Sequence, residues 1–266
     1  MISVGMLRDV WAFRGFIISN VKREFQSRYL GTQFGAFWNI AQPLTMIVIY
    51  TIVFAKLMRP SLPHHNSEFA YSIYLCAGVL TWGLFGEMLG RCVNIFVEHA
   101  SILKKVSFPK LCLPIIVLAS SWLHFAIVLC LFLVFLLLSG NFPGWVLLAG
   151  IPVMLIQAAF TVSLGVLLAT INVFYRDVSQ SVSVILQFWF WATPIIYAPA
   201  VIPERIRVVL ELNPMWPLIH AYQGIFLDKV APDWASLIYP TVLALVLGFF
   251  GMYAFLRLQG EIVDEL

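Results

Sequence analysis

Charge is what this chain has least of. Asp, Glu, Lys and Arg make up 11% of its 266 residues, against about 25% in a soluble domain. That shortage excludes an ordinary water-soluble fold, and no nucleic-acid partner is expected of so sparsely charged a chain. Cysteine is nearly as scarce, with four residues at 76, 92, 112 and 130. None forms a CxxC or a His/Cys ligand spacing, so they read as small hydrophobes and not as a metal set or disulfide framework. His64-His65 lacks acidic or Cys partners at ligand spacing, and no metal is expected. The phosphate loop GxxxxGK[ST] is missing, so this chain cannot cradle ATP in that way. HExxH is missing too, and no second mid-membrane acid accompanies Glu87, which weighs against an intramembrane protease or ligase. An ion-coupled carrier would want intramembrane carboxylates and Gly-broken helices. The first thirty residues lack the short apolar core and cleavage site of a secretory leader. There is no internal repeat and no low-complexity tract.

What remains is hydrocarbon: 61% of the residues are hydrophobic. Six stretches reach the roughly 20 residues needed to cross a bilayer. They are Phe34–Ala55, Phe69–Gly90, Leu111–Leu138, Trp145–Phe174, Val178–Ala198 and Ala235–Leu256. With six spans both termini share a side. Placing them inside gives the inner segments eleven Lys and Arg, namely Arg8, Arg14, Lys22, Arg23, Arg28, Arg91, Lys104, Lys105, Lys110, Arg176 and Arg257. The outer segments hold five, namely Lys56, Arg59, Arg205, Arg207 and Lys229. The positive-inside rule therefore puts both termini in the cytoplasm.

Two parts do not read as spans. Residues 1–33 carry apolar residues at Leu7, Val10, Trp11, Phe16, Ile17, Val21 and Phe25, an approximate helical stripe. This is an amphipathic helix for the cytoplasmic interface, or a plain topogenic leader. Between Pro199 and Asp233, helical pieces near 203–212 and 215–228 are separated by Pro214 and Pro217, and each is too short to cross. They read as an outer-side pair of short helices dipping into the membrane where protein shields them, or as a surface-lying loop. The expected fold is an all-α integral membrane protein. Residues 1–33 form its interface helix and residues 34–266 its six-span domain, with two short re-entrant helices before the last span.

The stretch EHASILKKVSFPK (98–110) interrupts the apolar runs on the cytoplasmic side. Ile102, Leu103 and Val106 fall at helical spacing while Lys104 and Lys105 point elsewhere. Such an apolar knob ringed by charge suits a partner's groove, although a topogenic loop reads equally well. Polar groups within spans also stand out. Glu87 and Arg91 are an i,i+4 pair able to neutralise each other. His124 sits mid-span, and Tyr175-Arg176-Asp177 marks a short inner turn. Of nine Trp, Trp38, Trp145 and Trp234 lie near span ends, where an aromatic belt is expected. Trp82, Trp122, Trp189 and Trp191 lie near mid-depth, where a watery or sugar-filled path or a neighbouring helix would have to satisfy the indole N–H. In the run 187–191, at most Gln187, Phe188 and Trp191 share a side.

Four passages carry a resemblance. They are KREFQSRYLGTQFGAFWNIAQPL (22–44), AGVLTWGLFGEMLGRCVNIFVEHASILKKVSFPK (77–110), NVFYRDVSQSVSVILQFWFWATPIIY (172–197) and NPMWPLIHAYQGIFL (213–227). In this order they resemble the permease subunit of type-2 ABC exporters, in the branch that moves O-antigen and capsule polysaccharides. Gln223 departs from the pattern, since many members have a basic residue there.

The resemblance implies a subunit that is not itself an enzyme, in a dimer with two ATPase subunits that bind ATP and Mg²⁺; the permease holds no cofactor. A coupling helix at about 94–106 would meet the ATPase through Glu98, Ile102, Leu103, Lys104, Lys105 and Val106. Outer gate helices would occupy about 200–230. Trp82, Trp122, Gln187, Phe188, Trp191 and Tyr197 are the candidates for lining a channel. Arg28, Tyr29, Glu87, Arg91, Arg176 and Asp177 are those for lipid access or gating. The expected cargo is a polyprenyl-diphosphate-linked polysaccharide leaving the cytoplasm across a bacterial inner membrane. Capsule polymer, teichoic acid or a small hydrophobic compound is the alternative within the same architecture.

Overall fold

The computed structural model of the chain describes residues 10–30, 35–53, 68–105, 108–197 and 210–265. Every regular element among them is helical. In chain order these are α1 (Arg14–Leu30), α2 (Gly35–Tyr50), α3 (Ala70–Glu98), α4 (Ala100–Lys105), α5 (Cys112–Leu138), α6 (Gly150–Phe174), α7 (Asp177–Trp191), α8 (Met215–Gln223), α9 (Ile238–Leu258) and α10 (Glu261–Glu265). A 3₁₀ turn, Gly144–Ala149, leads into α6, and a π turn, Gly224–Asp228, continues α8.

Four described helices are long and apolar enough to cross a membrane: α3, α5, α6 with its 3₁₀ turn, and α9. The other two expected spans are shorter as described. α2 has 16 residues before a π turn to residue 53, and the flanking Phe34, Phe54 and Ala55 lie outside the described residues. α7 has 15 residues and ends at Trp191 instead of reaching Ala198. The reason is local. Pro194 has no N–H to continue the ladder and disfavours helix at Thr193, so the chain bends through 193–197.

α3 is the axis of the molecule. In its most apolar window 67% of residues are buried, against 17% in α9. It packs against α5, α6, α7 and α8, while α9 lies on α6 and α1 on α5 and α2. Two apolar clusters follow its length, one around Phe85, Phe160 and Trp82, the other around Phe96, Leu113 and Phe255. At Gly165 an added Cβ would sit 2.5 Å from the Cys92 Cβ, so the α3–α6 approach requires glycine there.

Several polar side chains inside these helices find partners in two ways, whereas Ser72 Oγ and the Tyr222 hydroxyl find none among the described residues. Thr81, Thr161 and Thr170 donate to the carbonyl four residues back, at 2.7, 2.7 and 2.9 Å. Buried amides bridge helices instead. Gln157 Nε2 donates to the Thr81 carbonyl at 2.9 Å and Asn172 Nδ2 to the Val93 carbonyl at 3.1 Å, each tying α6 to α3. Such bonds contribute about 0.6 kcal/mol apiece within a membrane.

α1 differs from the single stripe expected of it. Phe16, Ile17 and Val21 pack against the protein, while Trp11, Ile18 and Phe25, spaced seven apart, form an exposed outward row. The helix thus has two apolar faces. Of the two short pieces expected before the last span, the first, near 203–212, lies outside the described residues up to position 209. The second piece is α8 with its π turn, and it is not a surface loop. Met215, Leu218, Ile219 and Ile225 are fully buried there, against α3 and α6. Asn213 starts it, its Oδ1 accepting from the Met215 N–H at 3.0 Å, and Lys229 ends it in the left-handed conformation.

Candidate functional site

Where α1 crosses α3 and α5, a cavity of about 630 Å³ opens among charged side chains. Each wall follows from helical spacing. On α1, Glu24 and Arg28 stand one turn apart; on α3, Glu87 and Arg91 do the same. The two pairs interlock across the helices. Arg28 Nη1 donates to Glu87 Oε1 at 2.6 Å, and Arg91 Nη2 donates to Glu24 Oε2 at 2.5 Å. The pairing expected within α3 is the weak one, with Arg91 and Glu87 4.0 Å apart. A partner on another helix wins because two side chains on adjacent turns of one helix must bend toward each other, whereas facing helices present theirs end to end.

α5 completes the wall. Ser120 and Ser121 accept from Arg91 Nη1 at 3.0 and 3.2 Å. The Tyr29 hydroxyl meets His124 Nδ1 at 2.7 Å. Burial pushes the Tyr29 phenol above its ordinary value, with Arg28 pulling it down and Glu87 up. The other ring nitrogen of His124, Nε2, faces Glu87 Oε2 at 3.7 Å. With Arg23 also on the wall, three guanidiniums face two carboxylates. The cavity holds one more positive than negative charge, in a form that offers forked donors to an oxyanion.

The profile of the ABC-2 type transporter family, the membrane subunits of one class of ABC transporter, matches residues 16–227. The chain belongs to this family. Among curated proteins, this ABC-2 chain is similar to the O-antigen export system permease protein RfbA of Myxococcus xanthus. The two are 32% identical over 265 residues, covering 99% of this chain and 100% of the relative. It is similar also to proteins of that name from Klebsiella pneumoniae, at 30% and 29% identity over 252 residues, 94% of this chain and 93% of each relative.

The sequence-expected residues of this ABC-2 subunit fall into distinct places. Arg28, Tyr29, Glu87 and Arg91 come together at the cavity. Arg176 and Asp177 do not line it; they are exposed at the α6–α7 turn, which Asn172 holds by accepting from the Ser179 N–H at 3.0 Å.

The stretch 94–106, expected as one coupling helix, is not a single helix: 94–98 continue α3 and Ala100–Lys105 form the separate α4. Glu98 and Lys104 are exposed and Ile102 is half-buried. Leu103 is packed inside, in the cluster that contains Phe255 and Ile262. The Lys105 side chain and Val106 lie outside the described residues.

Trp82 is a core residue of the chain, packed edge-on against Phe85, Trp189 and Phe190. Trp122 is half-buried with an indole N–H that finds no acceptor among the described residues. Gln187 is exposed, and so are Phe188 at 73% and Trp191 at 64%, along one outward face of α7. Tyr197 donates to the Trp191 carbonyl at 2.8 Å. Gln223 is buried, its Nε2 directed at the Tyr74 carbonyl.

Sequence reasoning missed Glu24, Arg23 and the Ser120-Ser121 pair as members of the site. The Glu24–Arg28 spacing, a copy of Glu87–Arg91, is the signal that was there to find.

Proposed function

We propose that this chain is the transmembrane subunit of an ATP-driven exporter that carries O-antigen polysaccharide, linked to a polyprenyl diphosphate, from the cytoplasm to the periplasm. The near full-length likeness to O-antigen export permeases carries this reading. Two copies form the pathway in a bacterial inner membrane, each crossing six times through α2, α3, α5, α6, α7 and α9, with both termini cytoplasmic. α8 is the re-entrant outer element. Two separate ATPase subunits dock against α4.

In this reading the α1–α3–α5 cavity receives the carrier's diphosphate. Its guanidiniums are now matched by Glu24 and Glu87, and a diphosphate bearing several oxyanions competes for the same forked donors. Exchange of carboxylate for diphosphate frees α1 from α3 and lets the lipid-linked end advance. The exposed Gln187, Phe188 and Trp191 face of α7 lines the path. Aromatic faces stack on sugar rings without selecting one sugar, which suits a polymer that must slide.

The test is deletion of the chain in its host with complementation. Lipid-linked O-antigen should accumulate on the cytoplasmic side and return to the cell surface when the wild-type chain is restored. Unchanged surface O-antigen with loss of a capsule or another polymer would assign a different cargo to the same architecture.

A further inference from the structure

α6 and α9 run side by side, and small residues let them approach closely. An added Cβ at Gly248 would stand 2.9 Å from Ser163 Oγ, and one at Gly251 would stand 3.2 Å from the Ser163 carbonyl. The flanking side chains are large. Leu155 on α6 and Leu245, Phe249 and Tyr253 on α9 rise as ridges that are all more than half exposed. Small floor and tall ridges leave a groove of about 720 Å³ lined almost wholly by hydrocarbon. It follows α9 from Thr241 to Leu256, about 22 Å at the helical rise and longer than the roughly 15 Å depth of one leaflet's hydrocarbon.

One end of this groove is charged. Arg257 follows the last lining residue and is exposed. Its Nη1 contacts the Tyr253 hydroxyl at 3.5 Å, and no carboxylate among the described residues pairs with it. A cation and a phenol at the mouth of a hydrocarbon trough match a phosphate joined to an acyl chain. A protein helix would bring no anion to Arg257 unless it carried an acid at that depth.

We propose that this groove is a binding site for an anionic membrane phospholipid, with one acyl chain along α6 and α9 and the phosphate on Arg257. The site lies on different helices from the charged α1–α3–α5 cavity and does not depend on what the protein exports.

The permease alone, purified in mild detergent, is titrated with phosphatidylglycerol and with phosphatidylcholine, and bound lipid is counted by native mass spectrometry. Wild type should retain phosphatidylglycerol about tenfold more tightly than phosphatidylcholine. Arg257→Gln should lose that preference while still retaining lipid. Ala159→Leu and Ala159→Phe, which place bulk on the exposed groove floor, should reduce retention of both lipids severalfold; two variants guard against one that fails to fold, and each is checked by its elution as a monodisperse species. Equal retention by wild type and both Ala159 variants overturns the site. So does efficient crosslinking between two copies through Leu245→Cys, which would show the groove covered by protein.

Discussion

The indole N–H of Trp189 on α7 donates to Asn213 Oδ1 at 2.8 Å. Asn213 uses its other amide atom as well, donating through Nδ2 to Thr193 Oγ1 at 2.8 Å. One side chain thus joins the end of α7, the bend at Thr193 and the start of α8. Asn213→Ala removes two side-chain bonds and the Asx turn that begins α8. We expect a loss of about 2 kcal/mol, read as a fall of about 4–8 °C in the unfolding midpoint in detergent. Asn213→Asp keeps the acceptor and loses only the donor, so it should fall by less. An unchanged midpoint for the alanine variant would deny Asn213 its tethering role.

The interlocked ion pairs make a charge-swap experiment decisive. Arg91→Glu leaves Glu24 and Glu87 facing a third carboxylate, and export should drop at least tenfold. Glu24→Arg combined with Arg91→Glu rebuilds the cross-helix pair with reversed polarity. It should recover at least half of the surface polysaccharide if the pair serves to hold α1 on α3. If the double variant is as poor as the single one, the arginine is needed at that position for its cargo and not for its partner.

Lys104→Glu with Lys105→Glu should leave the protein inserted and abolish export, with loss of the co-purifying ATPase. Normal association and export would show that α4 is not the docking element.

Trp191→Ala should slow polymer appearance at the surface more than Trp234→Leu. Both residues are at least half exposed in the single chain, so loss of exposed aromatic area is common to the two. Equal effects would remove the α7 face from the path.

The helices were legible wherever hydrophobicity alone sets an element's length, as in α5, α6 and α9; α3, expected to end at Gly90, runs on to Glu98. They were less so where a single residue stops the chain. Pro194 was visible, yet its effect on α7 was underestimated because hydropathy continues past it to Ala198. Partner choice was the harder problem. The i,i+4 rule found Glu87 and Arg91 but not that α1 would supply a closer partner to each, because which helices adjoin is a property of the packed state. The unmet indole of Trp189 raised the correct question, and Asn213, 24 residues away, answered it. Leu103 was read with the outward knob because a six-residue helix has too few turns to separate its faces by periodicity, and the apolar cluster that buries it includes residues from the far end of the chain, Phe255 and Ile262.

α3 meets Arg28 and, one turn later, Glu24 through its own Glu87 and Arg91, then runs unbroken for two more turns to Glu98, where α4 begins. A stiff rod of this kind links occupancy at one end to posture at the other. Linkage is reciprocal: if nucleotide on a docked ATPase changes the cavity's affinity for its anion, the anion must change the ATPase's affinity for nucleotide by the same factor. An empty permease and a loaded one would then hold nucleotide with different affinities, with no messenger beyond a single helix.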